Sequence, residues 1–180
     1  MKKYISLLRG INVSGQKSIR MAELKSLYEG LGLLNVQTYV QSGNILFESS
    51  EVDASKLAAQ IEGQIERTYG YRVAVFMRNR VDLQRIAQNN PFLTKRNEDP
   101  VKLHVTFLYS MPLASKLDQL APPKGESDEF FVGGQEIYLF CPNGYGRTRL
   151  SNTFFEKKLD VPATTRNWNT VSALCQMILS

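Results

Sequence analysis

An α+β fold built from two βαββαβ halves, each with an antiparallel sheet and added helices, is what this sequence predicts. Three observations predict it. Short apolar runs of strand length recur, and two pairs of them flank the turn dipeptides Ser42-Gly43 and Gly133-Gly134. Between the other runs, apolar residues return at helical spacing. The 180 residues suffice for one ordinary domain or two small subdomains.

Taken in order, residues 3–9 (KYISLLR) read as a strand. Met21, Leu24, Leu27, Tyr28 and Leu31 carry helical spacing, with Ser18 as the expected N-cap and Gly32 as the left-handed residue past the end. VQTYVQ and NILFES form a hairpin about Ser42-Gly43. Asp53 can cap a second helix that buries Leu57, Ile61 and Ile65 and stops at Gly70, and YRVAVFM is a fourth strand. The order is that of a split βαβ, or ferredoxin-like, unit. A connector helix over 81–88 follows, closed by Asn90-Pro91. The second half repeats the order: strand KLHVTFLY, helix 114–120, the breaker APPKGES, hairpin EFFVG/QEIYLF, a helix from a Ser151 cap to Leu159, and a weak strand at 163–166. A last helix places Val171, Leu174, Cys175 and Ile178 on one face, with Asn169 or Thr170 as its expected cap. The predicted organisation is a subdomain over 1–80, a connector over 81–100 and a second subdomain over 101–180.

The composition excludes several classes. Cys141 and Cys175 lie far apart and His104 is the single histidine, so neither a disulfide scaffold nor a His/Cys metal site is expected. A Ser-His-Asp triad would rest on that one histidine, which alternates along its strand with Lys102 and Thr106. Arg9 interrupts the first apolar run too early for a signal peptide, and no run approaches a membrane span, so a cytoplasmic protein without a membrane partner is expected. The net charge is +5. The basic excess sits at both ends, in residues 1–30 and 141–180, which favours phosphate-bearing partners or a plain basic surface.

Three polar segments invite chemistry. In LLRGINVSGQKS, Gly10 and Gly15 stand at P-loop spacing, but Gln16 occupies the lysine position and Lys17-Ser18 arrive one residue late. Lysine and hydroxyl would then miss the phosphates and the magnesium, so no P-loop is expected. Arg9, Asn12 and Lys17 at a helix entrance could still meet an anion, or Asn12 could simply cap the turn. Gln41, Ser42 and Asn44 surround the first hairpin tip, where they serve either the turn or a ligand. In ATTRNWNTV, Arg166 offers a bidentate fork amid Thr164, Thr165, Asn167 and Asn169, beside the single tryptophan, Trp168. Phe47 and Tyr4 alone make a poor base-stacking platform.

LLRGINVSG, MAEL, TYVQSGNILF, NPF and TTRNWNTV together resemble an uncharacterised bacterial family, domain of unknown function 1697. The resemblance spans nearly the whole chain. It implies an α+β fold of two ferredoxin-like parts and no established activity, substrate or cofactor. It marks Arg9, Gly10, Asn12, Gln41, Ser42, Gly43, Asn44, Thr165, Arg166, Asn167, Trp168 and Asn169. The expectation is a small phosphate-bearing ligand held where the first loop, the first hairpin and TTRNW converge, with no cofactor, catalytic residue or oligomeric state specified. The alternatives are a nucleic-acid binder using the basic ends and an enzyme acting on a nucleotide or phosphosugar.

Overall fold

The computed structural model describes residues 1–180. The chain divides into two compact units, Met1–Leu83 with Leu174–Ser180, and Gln84–Ala173. In the first, β1 (Lys2–Leu8), α1 (Met21–Gly30), β2 (Leu34–Tyr39), β3 (Asn44–Ser49), α2 (Ala54–Tyr69) and β4 (Val75–Asn79) follow one another. The sheet order is β2-β3-β1-β4, antiparallel throughout, which is the ferredoxin-like arrangement. β1 lies centrally, running from Lys2↔Ser49 to Leu7↔Asn44 against β3 and from Tyr4↔Asn79 to Leu8↔Val75 against β4. Strand alternation sends Tyr4, Leu8, Ile45, Phe47 and Val75 to one face. There they join Leu24, Tyr28, Leu57, Ile61 and Ile65 of the two helices in a single core. Tyr28 and Ser6 satisfy each other's buried hydroxyls at 2.8 Å.

Local signals account for most element ends. Asp53 accepts from Ser55 N and Lys56 N, and Gly70 leaves α2 with φ 73°. Gly32, at φ 79°, follows α1 as expected. Two expectations move. α1 begins after Arg20 without any side-chain cap, so Ser18 lies outside the helix. β4 starts at Val75 rather than residue 71, because the Val75 N–H donates to the Glu62 carboxylate of α2 and the ladder with β1 closes at Arg9 N→Ala74 O.

The second unit contains the end of α3 (Arg80–Gln88), then α4 (Pro91–Thr94), β5 (Leu103–Leu108), α5 (Ala114–Asp118), β6 (Glu129–Gly133), β7 (Glu136–Phe140), α6 (Asn152–Leu159), β8 (Ala163–Asn167) and the start of α7 (Trp168–Leu179). Its sheet order, β6-β7-β5-β8, repeats that of the first unit. Leu108, Ile137, Leu139, Leu150, Phe155, Leu159 and Ala163 form its core, and Ser151 caps α6. The hairpin turn is Gly134-Gln135, one residue later than expected. Gly133 remains in β6, where a Cβ would stand 2.9 Å from the Tyr138 ring.

Each unit ends its last strand in the same way. β4 passes into α3 with no intervening residue. Asn79 Oδ1 accepts from Asp82 N at 3.0 Å, and Asn79 N donates back to Asp82 Oδ2 at 2.9 Å. β8 passes into α7 likewise, with Asn167 Oδ1 accepting from Thr170 N at 2.8 Å. The cap of the last helix is thus Asn167, not Asn169 or Thr170. The last turns of α7 belong to the first unit, where Cys175 Sγ donates to Leu83 O.

Gly43 is the tightest point of the first unit. Its φ is 78°, and a Cβ would stand 2.7 Å from Ile11 Cδ1 and 2.8 Å from Leu8 Cβ. Gly43→Ala is expected to cost roughly 2–4 kcal/mol, from the left-handed backbone and overpacking together. Urea unfolding of the two proteins measures it; a loss within experimental scatter would show that the turn relaxes freely.

Candidate functional site

The loop between β1 and α1 folds on itself. Gly10, Asn12, Ser14, Gly15 and Lys17 all adopt positive φ. Gln16 N donates to Val13 O and Asn12 N to Lys17 O, making a miniature hairpin rather than a cradle of converging N–H groups. The Asn12 side chain staples this loop. Its Oδ1 accepts from Ile19 N at 2.8 Å, while Nδ2 donates to Ile19 O at 2.9 Å and to Gln41 O at 2.8 Å. Loop and hairpin tip are therefore brought together. Asn44 is fully buried and donates to Tyr39 O and Ser42 Oγ, which holds the four-residue turn 40–43. Lys17 Nζ donates to Arg72 O at 2.7 Å. Gln41 is exposed, and Arg9 and Ser42 are half-buried. Asn12, Lys17 and Asn44 thus act on main-chain carbonyls, as irregular backbone demands.

Thr165, Arg166, Asn167 and Trp168 lie in the second unit. Alternation divides them between the faces of its sheet. Thr165 Oγ1 donates to Asn152 Oδ1 at 2.6 Å and pairs with Thr106 Oγ1 at 2.8 Å. Arg166 points to the opposite face. It is 8% exposed, and its Nη1 donates to Thr164 Oγ1 at 2.8 Å and Thr165 O at 3.0 Å. Burial pulls its pKa down to about 10, which leaves it cationic at neutral pH. Trp168 is 7% exposed at the start of α7. The first unit repeats the device. Arg78 is buried one residue before the capping Asn79, and its Nη1 donates to Met77 O at 2.8 Å. An Arg-Asn pair at the end of the last strand is therefore a joint of the fold in both units.

A separate concavity opens in the second unit, with a volume of about 740 Å³. None of the residues chosen from sequence lines it. The end of α3 and the residue after it supply Arg85, Gln88 and Asn89; α4 and the residue after it supply Pro91, Thr94 and Lys95; the β6–β7 hairpin supplies Phe131, Gly133, Gly134, Gln135 and Tyr138. Met111 completes the wall. Arg85 Nη1 donates to the fully buried carboxylate of Glu136 at 2.8 Å, a pairing that a buried charge requires. Tyr138 donates to Ile86 O. Lys95 presents an exposed ammonium, and Phe131 and Met111 are 49% and 58% exposed. One sequence signal could have found this place. In EFFVG, Phe130 and Val132 pack into the core, so Phe131 must face away from it. Charged residues at helix ends carry no comparable signal.

His104 stacks on Tyr145 with ring centroids 4.7 Å apart, and burial holds its pKa below the ordinary 6.5. No cluster of three His, Cys, Asp or Glu side chains could hold a metal ion, and no helix is long and apolar enough to cross a membrane.

A family model described as protein of unknown function (DUF1697) matches residues 1–138. Among curated proteins, none matches the chain. Among solved structures, the conserved bacterial protein SP0830 from Streptococcus pneumoniae is similar, with a TM-score of 0.75 over 98% of both chains at 24% identity. A likeness at that identity shows the fold.

Two outcomes are expected here. Asn12→Ala removes three hydrogen bonds and should cost roughly 1–3 kcal/mol. Hydrogen exchange should accelerate at Ile19, whose N–H loses its acceptor; unchanged protection there would contradict the staple. The single histidine gives an unambiguous proton NMR titration, expected to have its midpoint below 6.5. Because the unfolded chain then binds the proton more readily, this group's contribution is present above pH 6.5 and lost as pH falls through the folded pKa. Stability should fall more steeply between pH 7 and 5 in the wild type than in His104→Gln.

Proposed function

The chain belongs to the DUF1697 family of proteins of unknown function, and we propose that it binds a small phosphate-bearing anion in the cavity of its second unit. The observation that carries this reading is the makeup of that cavity. Two cationic side chains, Arg85 and Lys95, and three amides, Gln88, Asn89 and Gln135, line it together with exposed apolar groups. Its volume of about 740 Å³ is within the usual range for small-molecule sites, roughly 300–1,000 Å³. Arg85 is held by Glu136, which orients its guanidinium and offsets its charge. Lys95 then supplies the net positive charge, and the amides orient the bound group.

Arg166, a buried cation whose pKa burial lowers to about 10, is the second candidate seat for an anion. The two seats separate by mutation. Equilibrium dialysis against ribose 5-phosphate is expected to show one-to-one binding that Lys95→Glu weakens at least about tenfold, the loss of one charge-assisted contact. Arg166→Lys should leave it unchanged. The reverse pattern would move the site to Arg166. Affinity confined to RNA and lost steeply with salt would replace the small-anion reading with counterion-release binding.

A further inference from the structure

Resting on the phosphate reading of the second-unit cavity, we infer that its ligand is a nucleoside monophosphate, with the base lying on Phe131. The register of the hairpin places Phe131 directly opposite Tyr138 on neighbouring strands. Both side chains line the cavity, so two aromatic rings share its sheet-side wall. Tyr138 is buried and tied to Ile86 O, which leaves Phe131 as the ring with an open face. Phe131 is 49% exposed and Met111 58%. An exposed aromatic face beside a cationic rim suits a planar organic group better than water or a sugar.

The rest of the wall fits the same shape of ligand. Gly133 and Gly134 carry no side chain that would narrow the hairpin end. Gln88 and Asn89 each offer both a donor and an acceptor, the equipment that reads the edge of a base. The charge favours one phosphate group. Arg85 is offset by Glu136, so Lys95 remains as the unit of positive charge facing the ligand. A triphosphate would bring a larger excess of negative charge to this wall than a single phosphate group does. Inorganic phosphate or a phosphosugar would leave most of about 740 Å³ filled by water and the aromatic wall wet.

The test is a dialysis series with AMP, GMP, CMP, UMP, ribose 5-phosphate and inorganic phosphate on the wild type, Phe131→Ala and Phe131→Trp. Phe131 is half-exposed, so neither variant should disturb folding, which circular dichroism verifies. At least one nucleotide is expected to bind about tenfold or more tighter than ribose 5-phosphate, the gain that base stacking on an aromatic ring supplies. Phe131→Ala should erase that preference while leaving the weaker phosphosugar binding, and Phe131→Trp should keep it. Equal binding of nucleotides and ribose 5-phosphate, or a preference that survives Phe131→Ala, overturns the nucleotide assignment and leaves the phosphate reading standing. Binding of none of the six overturns both.

Discussion

A strand that becomes a helix without an intervening residue leaves the chain no freedom in where the helix goes. This happens twice here, at Asn79 and at Asn167. Each asparagine ends a strand and accepts from the N–H three residues on, so one side chain closes the sheet edge and opens the helix. Alternation then dictates the rest. The residue before each cap must point to the opposite face, and in both units it is a buried arginine that donates to the main chain just before it. α3 starts in the first unit and ends in the second, while α7 starts in the second and ends in the first. The composition of both units therefore depends on these two joints.

The same economy governs the loops. Backbone that leaves regular structure must find partners for its N–H and C=O groups. Asn12 serves Ile19 and Gln41, Asn44 serves Tyr39, and Lys17 serves Arg72. These three side chains are thereby engaged in holding irregular backbone. The second-unit cavity has the opposite character. Its amides and ammonium stand at helix ends and in a hairpin turn, and its aromatic wall follows from the pleat of that hairpin.

The legible part of the fold was local. Helical spacing located α1, α2 and α7, and Asp53, Gly70, Gly32 and Ser151 marked ends of α1, α2 and α6 because each acts on groups within four residues. The displaced features all depended on distant partners. Ser18 was a sound cap by type, but the loop stapled by Asn12 delivers the chain to α1 at Arg20 instead. Gly133-Gly134 read as a turn, whereas the nearby Tyr138 ring needs Gly133 as the last residue of β6. β4 begins later than its apolar run suggests, and nothing local reveals that Glu62 takes the Val75 N–H.

By itself, then, the sequence determined the α+β class, the order of elements and the two hairpins, since propensity, periodicity and capping act over a few residues. It also marked Arg166, Asn167 and Asn44 as unusual without distinguishing a ligand contact from a joint, because a side chain's partners lie outside its own segment. Only the tertiary structure decided the face on which each arginine is buried and the return of Leu174–Ser180 to the first unit. It alone assembled Arg85, Lys95 and Phe131 around one concavity. Those three lie on separate elements, and what unites them is long-range strand pairing and burial, which no local pattern encodes.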